Sequence, residues 1–218
     1  MAQAQEAAPP IRTIQAGAIL RTEVSRTPDT ELNWNGKPAR AWRNWTPGAW
    51  TLLKMDGPVS YYRNSVNDVR FDALAFTNTA TTLYKEHHIL EQKGQRPEGP
   101  LQSGQKWQAS VRYISNPVNW CASLETKLTG DFEVQDTEPY TLKIDGQEVT
   151  LQVQPVVRRG YWQRCYQGPQ TQRVIWSPQL GVLLSLELLS YDPQSRLDPY
   201  SYIMRVTSIE SGKQGGHE

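Results

Sequence analysis

The chain is poor in the residues that most often carry chemistry. Its 218 residues include two cysteines, Cys121 and Cys165, and three histidines, of which His87 and His88 form the only internal pair. There is no Cys-x-x-Cys, His-x-His or His-x-x-x-His spacing, so no metal site is expected. Adjacent residues on a strand point to opposite faces, so His87 and His88 would not share one ion. No serine lies in Gly-x-Ser-x-Gly, and a nucleophile with so few histidines lacks its usual base. Neither sign of charge is in excess, with 23 basic against 22 acidic residues. That removes the basic field on which nucleic acid or an anionic membrane depends. No apolar run approaches the roughly 18 residues of a spanning helix, so no transmembrane segment is expected. Helical periodicity is nearly missing as well.

What the chain does have is strand pattern. In Gln105 to Tyr113, Trp107, Ala109, Val111 and Tyr113 fall on one face and Lys106, Gln108, Ser110 and Arg112 on the other. Such period-two alternation is the mark of a half-buried strand. Tyr140, Leu142 and Ile144 alternate up to Asp145-Gly146, and Val149, Leu151 and Val153 alternate away from it. Asp-Gly suits a type I′ turn, whose two central residues need positive φ. Closing the hairpin there pairs Ile144 with Gln147, Leu142 with Val149 and Tyr140 with Leu151, which puts all the apolar side chains on one face.

Further strands are expected at Tyr161 to Tyr166 and Arg173 to Trp176, split by Gln167-Gly168-Pro169. A turn over 176–181 leads into Val182 to Ser190, apolar on both faces and therefore central, and Tyr200 to Ile209 follows. Earlier candidates are Ala18 to Val24, Trp50 to Met55, Val59 to Arg63 and Val69 to Phe76. Thr79 to Glu91 is read as strand rather than helix, because its threonines disfavour a helix.

The cysteines, 44 positions apart, fit one disulfide formed in an oxidising compartment. Such a bridge would stabilise by about 4 kcal/mol in the chain-entropy model. Two free core thiols are the alternative. The opening Met-Ala-Gln-Ala-Gln-Glu-Ala-Ala-Pro-Pro reads as the start of a mature exported chain whose signal has been removed. Residues 1–10 are expected to be a disordered leader, 11–210 a single β-rich domain with a possible subdomain break near 94–104, and 211–218 a flexible tail.

Ten tyrosines and eight tryptophans against three phenylalanines give most of the aromatic surface a polar handle. Trp34, Trp42, Trp45 and Trp50 cluster within seventeen residues broken by Gly36, Pro38, Pro47 and Gly48, with Arg43 and Asn44 between them. Two readings stay open for this loop-like segment. The rings plug one end of the fold, or they form a platform for stacking with planar donors beside it. On the second reading Trp34, Trp42, Arg43, Asn44, Trp45 and Trp50 bind ligand.

Pro100-Leu101-x-x-Gly104-x-x-Trp107, a strand, a cysteine-bearing strand, the 140–153 hairpin and Trp176-x-Pro178-x-Leu180-Gly181 before a long apolar strand form an ordered series. Over roughly 100–209 this series resembles secreted and periplasmic bacterial β-proteins with the curved half-barrel sheet of lipoprotein carriers (LolA-like). The resemblance implies an envelope location and a binding or scaffolding role, and it transfers no catalytic residue.

The expectation is thus an all-β fold, a curved antiparallel sheet (half-barrel or β-sandwich) with an N-terminal elaboration. Function is expected to be non-catalytic and periplasmic or extracellular. The protein would hold an envelope protein, lipid or glycan on the concave sheet or the Trp-rich loop, without a cofactor. The alternative is a hydrolase of envelope polysaccharide using a pair of carboxyls.

Overall fold

The computed structural model describes residues 14–25, 48–56, 59–64, 68–72, 77–81, 88–94, 97–114, 125–163, 167–190 and 202–212. These form strands and turns, with no helix among them. The strands are β1 (Ile19–Ser25), β2 (Gly48–Asp56), β3 (Val59–Arg63), β4 (Asp68–Asp72), β5 (Thr77–Thr81), β6 (His88–Lys93), β7 (Lys106–Ile114), β8 (Glu125–Val134), β9 (Glu138–Ile144), β10 (Gln147–Val153), β11 (Val156–Gln163), β12 (Gln167–Ser177), β13 (Val182–Ser190) and β14 (Tyr202–Glu210). Twelve of them make one antiparallel sheet in the order β5-β4-β3-β2-β1-β14-β13-β12-β11-β8-β7-β6. It is a single sheet, not the two layers of a sandwich, and it does not close into a barrel. The N-terminal strands continue the same sheet.

Curvature is visible in contacts that a flat sheet could not make. β3 and β13 are four places apart in the order, about 19 Å if the sheet were flat. Yet the backbone N–H of Leu183 donates to the Tyr62 hydroxyl at 3.0 Å, and the Ser60 hydroxyl donates to the Gly181 carbonyl at 3.3 Å. The segment ahead of β1 ties the same two regions together: Ile14 N–H donates to the Leu180 carbonyl and Gly17 N–H to that of Leu52. Connectivity adds a second bound. The two edge strands, β5 and β6, are consecutive in the chain, and Thr81 and His88 are seven peptide links apart. Such a link spans at most about 25 Å, against about 53 Å for the width of twelve flat strands. The sheet therefore rolls until its margins approach.

Register explains which residues line the inside. Val134, Val156, Val174, Leu186, Met204 and Val24 lie opposite one another in turn across six strands, and next to them run Trp107, Phe132, Arg158, Gln172 and Leu188. Side chains alternate between faces, so these rows share the concave side, where most are buried. The β9–β10 hairpin joins the sheet through a short parallel pairing of β9 with β14, Lys143 opposite Ser208 and Ile144 opposite Ile209, and its apolar side chains enter the same core. Its turn has positive φ at Asp145 (49°) and Gly146 (83°), and its register pairs Gln147 with Ile144, Val149 with Leu142 and Leu151 with Tyr140, as the sequence predicts. Leu142, Leu151 and Val153 are buried in the common core. The Tyr140 hydroxyl lies 2.8 Å from both the Leu184 and the Val206 carbonyls and shares its one proton between them. The turn is pinned where Asp145 N–H donates to the Ile209 carbonyl.

One expectation about the strands is corrected. Gln167-Gly168-Pro169 is not a loop but the start of β12, paired with Gln163, Trp162 and Tyr161. Pro169 is tolerated there because pairing with β13 begins one residue later, at Gln170 opposite Ser190. Of Thr79 to Glu91, residues 79–81 belong to β5 and 88–91 to β6, strand as expected, and 82–87 lie outside the described residues. The 94–104 stretch joins β6 to β7, which pair with each other. β8 stands between the Trp107 strand and the 140–153 hairpin, where a cysteine-bearing strand is expected, but it begins at Glu125, and Cys121 lies outside the described residues. The turn over 176–181 and the central β13, with Val182, Leu183, Leu184 and Leu186 all buried, form as the pattern implies.

Burial pushes the Tyr62 hydroxyl up to about 12, partly opposed by its hydrogen bond from Leu183. The folded state then holds this proton more tightly than the unfolded chain, where tyrosine titrates near 10. The stabilisation is complete below pH 10 and is lost as pH rises through about 12, worth roughly 2–3 kcal/mol. Unfolding free energy measured by urea titration should fall steeply between pH 10 and 12. Burial likewise raises the Tyr140 hydroxyl to about 12, so Tyr62→Phe should remove about half of that decline, and a decline as steep as in the parent would take Tyr62 out of it.

Candidate functional site

The period-two pattern that buries Trp107, Phe132 and Arg158 sends their neighbours outward. On the convex face Gln108, Asp131 and Arg159 lie opposite one another across β7, β8 and β11, and so do Ser110, Thr129 and Tyr161. With Lys93 and Gly94 at the end of β6 these residues line a groove of about 540 Å³, built from 108–110, 129–131 and 159–161. Tyr161 is 53% exposed, the one large hydrophobic exposed to that degree among the described residues.

The polar groups beside it are already positioned. Gln108 Nε2 donates to Asp131 Oδ1 at 2.7 Å. Arg159 Nη1 donates to Glu133 Oε2 at 2.9 Å, and Lys106 Nζ approaches Glu133 Oε1 at 3.1 Å. Hydrogen bonds from Arg159 and then Lys106 hold the Glu133 carboxyl below the usual range for glutamate. Signs alternate across the surface, so it presents no field of one sign.

Two features of the opposite face position this one. Gly130 and Gly160 lie opposite each other on β8 and β11. A Cβ on Gly160 would sit 1.9 Å from the Thr129 carbonyl oxygen, so the close approach of the two strands requires glycine there. The Arg158 side chain, 5% exposed, lies against Gly130 and donates from Nη2 to Gln170 Oε1 on the concave side. Beside it Trp107 and Phe132 stack with centroids 4.9 Å apart and planes 7° from parallel.

Of the residues singled out from sequence, Trp50 is 2% exposed, its ring 5.9 Å from that of Tyr62 at 57°. It is therefore core, on the packing side of the two readings. Trp34, Trp42, Arg43, Asn44 and Trp45 lie outside the described residues, as do Cys121, Cys165 and His87. The groove residues were not singled out, although alternation had already placed Lys106, Gln108 and Ser110 on a polar face. The missing signal was the neighbour relation between β8 and β11, which the intervening hairpin hides in sequence.

Comparison with known proteins finds no matching family model, no similar curated protein and no similar solved structure. The likeness to lipoprotein-carrier half-barrels rests on the residue pattern alone.

Proposed function

We propose that this chain is a non-catalytic binding protein of the cell envelope, exported to the periplasm or beyond and carrying a Cys121–Cys165 bridge, and that it holds its partner in the convex groove at Tyr161. The observation that carries the reading is a half-exposed aromatic ring set among polar side chains that are already hydrogen-bonded in place. Such pre-ordering lowers the entropic cost of capture. Tyrosine, apolar in its ring and polar at its hydroxyl, is enriched among the anchors of recognition surfaces.

The concave face is the less favourable seat. Leu142, Leu151 and Val153 of the hairpin fill it where it is described, so a lipid chain would have to displace them. For the hydrolase alternative, the carboxyls beside this groove make a poor acid pair. Asp131 and Glu133 share a face of β8, but a general acid needs a carboxyl held protonated, and Glu133 is pushed the other way by Arg159 and Lys106.

Tyr161→Ala should abolish capture of partner from envelope extract while shifting the melting temperature by no more than about 2 °C, as expected for an exposed position. Undiminished capture by the variant would remove the groove from consideration.

A further inference from the structure

Resting on that reading, we infer that the groove takes an uncharged oligosaccharide. A sugar ring has two chemical characters: an apolar face of C–H groups and a rim of hydroxyls, each both donor and acceptor. The groove offers the complement of both. Tyr161 supplies a flat apolar surface, 53% exposed and so open to stacking without rearrangement. Along the row one step away stand an acceptor, Asp131, and two planar donors, Gln108 and Arg159. Donors and acceptors in alternation are what a rim of hydroxyls requires.

The other ligand classes fit less well. Nucleic acid needs a run of uncompensated positive charge to neutralise phosphates, whereas the charges of Arg159 and Lys106 are balanced by Glu133, with Asp131 beside them. A lipid tail needs an apolar lining, and only one large apolar ring is present. An added peptide strand binds through a sheet edge, and three of the four strands that line this groove (β7, β8 and β11) are interior to the sheet. Four strands side by side span about 14 Å. That length suits a short oligosaccharide and exceeds a single ring.

The probes are cellotetraose, chitotetraose and maltotetraose, titrated calorimetrically into the full chain. At least one should bind, and Tyr161→Ala should weaken it by roughly tenfold or more. Tyr161→Phe, which retains the ring, should keep the affinity within about threefold, and Asp131→Asn should weaken it through loss of the charged acceptor. Saccharide binding that ignores Tyr161→Ala overturns the assignment, and so does the failure of all three probes to bind. If the saccharides fail while capture from envelope extract still depends on Tyr161, only the ligand class falls. If both fail, the groove falls with it.

Discussion

Trp50→Ala should lower the unfolding free energy by about 3–5 kcal/mol, the range for emptying a buried tryptophan site. The reason lies in where the ring sits. It is 2% exposed, its strand pairs it with Leu20, and its ring lies 5.9 Å from that of Tyr62. Tyr62 in turn receives the N–H of Leu183, so the cavity would open at the junction where β3 meets β13 across the rolled sheet. Denaturant titration with unchanged slope is the measurement. A loss below about 1 kcal/mol would mean the ring is not core, since surface substitutions stay within about 0.5 kcal/mol.

Gly160→Ala should cost about 3 kcal/mol, at the upper end for overpacking. The added methyl would lie 1.9 Å from the Thr129 carbonyl oxygen and 2.6 Å from Gly130 Cα, both backbone atoms that no rotamer change can move. Relief means parting β8 from β11, and that displaces Arg159 and Tyr161 on either side. Ligand capture should therefore fall together with stability. Gly146→Ala is the control. Nothing lies within 4 Å of its Cβ, and only its φ of +83° resists substitution, so about 1 kcal/mol is expected. Equal losses in the two variants would show that close approach is not what fixes Gly160.

Much of the fold was legible in sequence, and the failures have physical causes. The 140–153 hairpin could be read down to its register because turn chemistry and alternation are both local and agree. β3 and β13 matched their apolar runs residue for residue. The bounds of β8 were not legible although Leu128, Phe132 and Val134 alternate within it, because the turn-like pair Gly130-Asp131 interrupts the pattern. That glycine is there for the Arg158 side chain lying against it. Gly168-Pro169 misled in the same way. The groove was invisible for another reason: its strands become neighbours only after the chain has left to build β9 and β10 and returned.

The order of strands has a consequence for how the molecule is made. The chain lays down β1 in the middle of the sheet, builds outward to one margin, restarts at the other, and works back until β14 slots in beside β1. Arg21 and Glu210, 2.9 Å apart, mark that late seam. A nascent chain can assemble two separate meanders, but it cannot knit them together until residues 202–210 have emerged from the ribosome. Such long-range closure makes for slow maturation, and the unpaired flank of β1 stays open to wrong partners until the final strand arrives.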